Sequence, residues 1–198
     1  MKNVAIAAVL TIASSVNAAV TNGNFSAGLT GWVWTPDPGA EASMLATTAS
    51  GPFVTGDAFR VNPGNNSGAA AQLGGTLSQS VALSAGVNYT VSGDLAVQNL
   101  TLSPNADGGL IRVFLGGSLI HSFDVDLIPE QTTQIHSFAV PYTPGATSNY
   151  LLEFSFQRGF FNFAPTMYHW ADNISIVPSP GVSVLFAMGA ISLSRRRR

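Results

Sequence analysis

Apolar and polar residues alternate with a period of two along most of the chain. From Asn88 to Val97, Tyr89, Val91, Gly93, Leu95 and Val97 fall on one side, and Thr90, Ser92 and Asp94 on the other. In Leu110–Leu115, Ile111, Val113 and Leu115 alternate with Arg112 and Phe114, and Gly116-Gly117 then gives a hairpin signal. Leu119–Leu127 follows, with Phe123, Val125 and Leu127 expected inward and Ser122, Asp124 and Asp126 outward. Gln134–Val140 and Tyr150–Phe156 repeat the pattern, and Trp170–Val177 forms the last strand. Gly31–Trp34, Ala42–Thr47, Ala58–Val61 and Gly75–Leu83 are further candidates. Successive side chains of a strand point to opposite faces, so this alternation predicts half-buried strands. No apolar 3.6-residue pattern persists beyond two turns in the body, and there is no internal repeat. Nine or ten short strands separated by Gly, Pro, Ser, Thr and Asn predict an all-β fold, an antiparallel β-sandwich or barrel.

The two ends break the pattern. Met1-Lys2-Asn3 precedes an apolar run from Val4 to Ile12, then small and polar residues through Asn17-Ala18-Ala19. A short basic start, an apolar stretch and small residues at the end describe a signal peptide, with cleavage expected after Ala18. At the other end, Pro178-Ser179-Pro180-Gly181 leads into an apolar run from Val182 to Ser194 and the cluster Arg195, Arg196, Arg197 and Arg198. As a helix that run would be roughly 20 Å long. A bilayer core is roughly 30 Å thick, so lodging there would need flanking residues and snorkelling arginines. The expected organisation is a signal peptide at 1–18, a β-sandwich domain at 19–177 and a C-terminal sorting or anchor segment at 178–198.

Composition sharpens this division. Hydrophobic residues make up 46% of the chain and charged residues 9%. Five of the eight basic residues sit in the terminal segments, which leaves Arg60, Arg112 and Arg158 in the body against ten carboxylates. Such a body cannot neutralise many phosphates, so nucleic acid is excluded as an expected partner. The chain has no cysteine, hence no disulfide, thiolate metal site or thiol nucleophile.

The tail resembles the PEP-CTERM sorting signal of exported bacterial proteins, which is a Pro-x-Pro motif, an apolar helix and terminal arginines. The usual middle Glu is Ser179 here. The resemblance implies export by way of signal peptidase and transient membrane anchoring through the C-terminal helix. An exosortase-type protease would then cleave near Pro178–Gly181 and deliver the body to the cell surface or outside the cell. A permanent single-span anchor is the alternative.

The body resembles the galactose-binding-like jelly rolls, which include carbohydrate-binding modules. Asn22-Gly23-Asn24-Phe25-Ser26 and Gly28-Leu29-Thr30-Gly31-Trp32 look like their opening. Leu77-Ser78-Gln79-Ser80-Val81 with Ala85-Gly86-Val87-Asn88-Tyr89-Thr90-Val91 matches their Gln-containing strand, turn and Tyr-Thr strand. Ala171-Asp172-Asn173-Ile174-Ser175-Ile176 matches their closing strand. The resemblance implies a structural calcium between the first and last strands, with Asp172 and carbonyls near Asn24 as ligands. Ser26 stands where the family has a Glu. The other expectation for Asp172 is that it tethers the strand end through backbone hydrogen bonds.

The remaining candidate chemistry is thin. His121, His136 and His169 lie in separate segments with no zinc-ligand spacing and are expected to be surface or hydrogen-bonded histidines. No nucleophile elbow, phosphate loop or distinguished carboxyl pair occurs, so no enzyme activity is expected. The segment Arg158–Trp170 is the richest, with five aromatics in thirteen residues. Flat aromatic faces can stack on sugar rings. Phe160, Phe161 and Tyr168 are therefore candidate ligand-binding residues, with Arg158, Asn162 and His169 as hydrogen-bonding groups. Trp34, beside Pro36 and Pro38, is a second candidate, whereas Trp32 is expected in the core. These aromatics form either a binding rim or a plug at one end of the sandwich. The sequence thus points to a non-catalytic exported protein of the envelope or extracellular matrix that binds polysaccharide. A purely structural, self-associating surface protein is the alternative, and a glycan hydrolase a more distant one.

Overall fold

The computed structural model describes residues 20–39, 46–54, 56–63, 73–100, 106–159 and 167–179. The expected signal peptide, the tail from Pro180 onward, Phe160, Phe161 and Asn162, and residues 42–45 of one candidate strand lie outside this set.

Ten strands are described: β1 (Val33–Pro36), β2 (Thr47–Ser50), β3 (Asp57–Val61), β4 (Gly74–Leu83), β5 (Tyr89–Asn99), β6 (Ala106–Leu115), β7 (Ser118–Ile128), β8 (Thr132–Tyr142), β9 (Ser148–Gln157) and β10 (Met167–Pro178); nine match candidate strands, and β2 shares only Thr47 with the candidate Ala42–Thr47. They form two five-stranded antiparallel sheets, ordered β1-β4-β9-β6-β7 and β2-β3-β10-β5-β8. The fold is an antiparallel β-sandwich of jelly-roll type, and no helix occurs among the described residues.

The two-residue period does the folding. Tyr89, Val91, Leu95 and Val97 of β5, Ile111, Val113 and Leu115 of β6, and Leu152, Phe154 and Phe156 of β9 are fully buried between the sheets. Burying such a side chain stabilises by roughly 1.5–3 kcal/mol. A chain of rings runs through this core: Phe25 lies 5.5 Å from Trp32 and 6.0 Å from Phe59, and Phe59 lies 5.0 Å from Phe156. Trp32 is in the core as expected, and its indole N–H donates to the Asn22 carbonyl at 3.1 Å. Gln79, inward on β4, anchors the N-terminal segment. Its side-chain oxygen accepts from the Thr21 amide at 2.7 Å, and its NH₂ donates to the Thr21 and Gly31 carbonyls, each at 2.9 Å.

The Gly116-Gly117 turn joins β6 to β7 with φ values of 58° and 78°. Two successive positive φ angles are what a tight hairpin between right-twisted strands requires. One inward assignment fails: Leu127 is 62% exposed, and Ile128 is buried in its place. Gly109, on the facing strand, has φ 81°. In β7 itself, Asp126 and Leu127 are both exposed between buried Val125 and Ile128, so the alternation changes phase there. A similar shift in β10 lies between Asp172 and Ser175, where Asn173 adopts φ 52°. Ala171 is inward before it, and Ile174 and Ile176 after it.

Candidate functional site

Inward-facing Phe59, Val61, Leu95, Val97, His169 and Ala171 leave their sequence neighbours on the outer face of the β2-β3-β10-β5-β8 sheet. One row across that face reads Arg60, Trp170, Ala96, Ile135. A second apolar cluster forms here, with Ala58, Ala96 and Trp170 buried and Ala49, Phe53 and Tyr168 packed around them. The small side chains of Ala58 and Ala96 leave room for the indole beside them. The segment after β2 folds back over it: a Cβ on Gly51 would come within 3.2 Å of the Trp170 ring. The Arg60 guanidinium lies 4.8 Å from the Tyr168 ring centroid and 5.6 Å from that of Trp170. Both distances fall in the cation–π range.

Beside this cluster is an open groove of about 260 Å³ lined by Pro52, Phe53, Val54, Asp94, Ile135, Ser137 and Asn173. Its polar side is already networked. Asp94 accepts a hydrogen bond from the Ser137 hydroxyl and another from the Asn173 side-chain amide at 2.8 Å. Val54 and Ile135 are exposed on its apolar side. Next to Asp94 in register stands Asp172, which is fully buried. Its Oδ1 accepts from the Asn173 backbone amide at 2.8 Å, and its Oδ2 has no partner among the described residues. Burial above all pushes its pKa up to about 6; the Asn173 amide opposes the rise, and the Asp94 charge adds to it.

The residues singled out from the sequence distribute unevenly. Tyr168 lies on this face, half-buried. Trp34 is not an exposed platform: it packs 5.7 Å from Phe59 and 6.2 Å from Phe156, because its β1 position points to the core side. Arg158 is buried, and its backbone amide donates to the Leu73 carbonyl at 3.2 Å. His169 is fully buried on the inner face, with Nε2 donating to the Gly108 carbonyl at 2.7 Å. Desolvation lowers its pKa to about 4, against that hydrogen bond, so it is neutral at pH 7. Both side chains are buried, which corrects their assignment as ligand-binding groups, and His169 is the hydrogen-bonded histidine that the sequence allowed.

The first and last segments do meet, with the Ile174 amide donating to the Gly23 carbonyl at 2.9 Å. Asn24 is nevertheless turned to its own loop, where its Oδ1 accepts from the Ser26 amide at 3.4 Å and the Ser26 hydroxyl at 3.1 Å. Calcium takes six to eight oxygens. No group of three or more His, Asp or Glu side chains suited to a metal occurs among the described residues. The Asn24 side chain is engaged within its own loop, and Asp172 accepts the Asn173 backbone amide, a bond of the kind expected of a strand-end tether.

Sequence reasoning missed Phe53, Arg60, Asp94, Ser137 and Asn173. The signal for Arg60 was present, since it alternates out of the buried Ala58–Val61 pattern. What no local pattern reveals is that β3, β10, β5 and β8 lie side by side.

No family model matches the chain, and no curated protein matches it. Solved structures do. The K3 cleaved adhesin domain of Lys-gingipain from Porphyromonas gingivalis is 15% identical at a TM-score of 0.53, covering 81% of this chain and 99% of that one. Tailspike protein 4 of bacteriophage CBA120 is 12% identical at a TM-score of 0.51 over 82% of this chain. A family 16 carbohydrate-binding module is 16% identical at a TM-score of 0.47, covering 79% of this chain and 97% of that one. The chain spans 21% of the tailspike structure and 27% of an arabinofuranosidase that also matches. At these identities the likeness is one of fold.

Proposed function

We propose that this chain is a non-catalytic exported protein that binds polysaccharide on the outer face of the β2-β3-β10-β5-β8 sheet. The observation that carries the reading is the groove of about 260 Å³, lined by both apolar and polar side chains. Phe53 and Tyr168 supply aromatic surface for the C–H faces of a sugar ring. Asp94, Ser137, Asn173 and Arg60 supply acceptors and donors for its hydroxyls. The aromatic run 160–166 continues into β10 and belongs to the same reading as a second contact. Export and sorting by the two terminal segments complete it, with the body acting at the cell surface or in the extracellular matrix.

Glycan arrays and affinity electrophoresis in polysaccharide gels test this. The expected result is retention by a subset of glycans, weakened about tenfold, or roughly 1.4 kcal/mol, by Phe53→Ala or Tyr168→Ala. Trp34→Phe is expected to leave it unchanged. No retention on any glycan, or retention indifferent to the Phe53 and Tyr168 changes together, overturns the proposal. The self-associating structural protein is favoured by exposed Val33, Val54 and Leu127. Absent glycan binding with concentration-dependent sedimentation would establish it instead. A carboxyl of raised pKa beside a carboxylate is also the pairing of a glycosidase. The Asp172 carboxyl is fully buried and does not line the groove, so its proton is not presented to a glycosidic oxygen there.

A further inference from the structure

β7 and β8 are the outermost strands of their respective sheets, and they meet along one side of the sandwich. They share no ladder, so side chains join the two sheets at this edge. His121 and His136 make one such contact, a hydrogen bond between their Nε2 atoms at 2.9 Å. Their ring planes lie within 4° of each other. Phe138 stacks on His121 at 4.8 Å and Phe123 on His136 at 4.9 Å, so an aromatic neighbour orients each imidazole. Both histidines are half-buried and belong to the core side of their strands, with Val113 in register with His121 and Leu95 with His136. The charged and titratable neighbours are turned elsewhere. Asp124 and Asp126 of β7 and Glu130 of the turn before β8 are exposed. On β6, Arg112 donates to the Gln157 side chain at 3.2 Å, and Asp107 accepts from the Gly109 amide at 2.9 Å. On β5, Asp94 is held by Ser137 and Asn173 on the outer face, and on β8 Tyr142 packs against Tyr150. Among the described residues no carboxylate bonds to either imidazole.

In the neutral pair one Nε2–H donates to the lone pair of the other Nε2. A first proton enters at the free Nδ1 of the donor ring, and the bond becomes that of a charged donor to a neutral acceptor, which strengthens it. A second proton has one place left, the acceptor Nε2. It sets two N–H groups and two positive charges against each other, and the bond is lost. We propose that the His121–His136 pair is a pH-sensitive latch between the two sheets, closed while at most one imidazole is charged and opened when both are. Burial first, and the His136 charge second, hold the His121 imidazole below its usual range, the direction that delays the second proton. Once β7 and β8 part, both rings reach water and titrate near the ordinary histidine value of about 6.5. The open edge therefore binds the extra proton below that pH, and acid favours opening. The ladders that join β7 to β6 and β8 to β5 are backbone bonds that do not titrate, so the change is confined to this edge. Phe123 and Phe138 gain contact with solvent there while the inner strands stay paired.

The test follows the full chain, with isotope-labelled imidazoles, by nuclear magnetic resonance from pH 8 to pH 4, together with amide hydrogen exchange. The pair is expected to take up its two protons in steps separated by more than about one pH unit. Amide protection around His121 and His136 should fall by up to about tenfold per pH unit below about 6.5, relative to His121→Phe/His136→Phe. Each single Phe variant leaves one titratable ring and should show one step and no such fall. His121→Gln, which keeps an uncharged hydrogen-bonding partner for His136, takes their place if the Phe variants fail to give the wild-type far-ultraviolet spectrum. Independent titration of both rings near pH 6.5 in the folded chain overturns the proposal. So does protection at this edge that stays level across the range, or a fall that persists in the variants.

Discussion

Phe59 shows what a single residue contributes here. Its ring is fully buried and touches Phe25, Trp34 and Phe156, so it joins the N-terminal loop, β1 and β9 to β3. Removing it takes away apolar burial and leaves a cavity that three rigid rings cannot close. Phe59→Ala should destabilise the fold by about 3–5 kcal/mol, measured by urea unfolding. A loss below about 1 kcal/mol would mean that the ring chain is not packed as described. At this scale the sequence was a good guide where a residue lay in an unbroken alternation, as Tyr89, Val113 and Leu95 did. It misled at Leu127, where two successive residues of β7 are exposed and the alternation changes phase. It misled again at Trp34, where the following Pro36 and Pro38 suggested exposure although the side chain packs against Phe59.

β10 is the element on which burial and titration meet. It carries His169 on the inner face and Asp172 beside the outer groove, and their pKa shifts have opposite consequences. His169 titrates near pH 4 in the fold and near 6.5 when unfolded. Between those values the unfolded chain binds the extra proton, so this residue makes stability rise with pH. Asp172 titrates near pH 6 in the fold and near 3.8 when unfolded. Between those values the folded chain holds the extra proton, so this residue makes stability fall as pH rises. From about pH 4 to 6 the two slopes oppose each other. Asp172→Asn should therefore make stability fall more steeply on acidification from pH 6 to 4 than in the wild type. His169→Gln should make it fall more steeply as pH rises over the same interval. Urea midpoints at pH 4, 5 and 6 for the three proteins check this, and identical pH profiles for all three would refute it. The strand itself was legible in the sequence. Its bulge at Asn173, which sets Asn173 beside Asp94, was not, since it depends on pairing with β5.

For the whole molecule, charge divides the chain as its hydropathy does. The body from 19 to 177 holds three arginines and ten carboxylates, whereas Lys2 and the four terminal arginines lie in the segments read as addresses. The mature protein from its native host should therefore lack residues 1–18. If the tail is a sorting signal, it should also end near Pro178–Gly181 and appear outside the inner membrane. Intact-mass measurement on fractionated cells checks both points. A retained tail in the inner membrane would mean a permanent anchor, and a retained 1–18 would refute the export reading.

The sequence by itself determined most of the strands, most of their inward faces and the Gly116-Gly117 hairpin. Those properties follow from side-chain alternation, glycine stereochemistry and local composition, all of which act over a few residues. Only the tertiary structure decided which strands became neighbours. That choice placed Arg60 from β3 against Tyr168 and Trp170 from β10, and Asp94 from β5 against Ser137 from β8. It also brought His121 and His136 together from different sheets. A strand's own pattern states which face is buried but not which strand lies beside it. A site assembled across strands is set by that pairing, which the long-range packing of both sheets fixes.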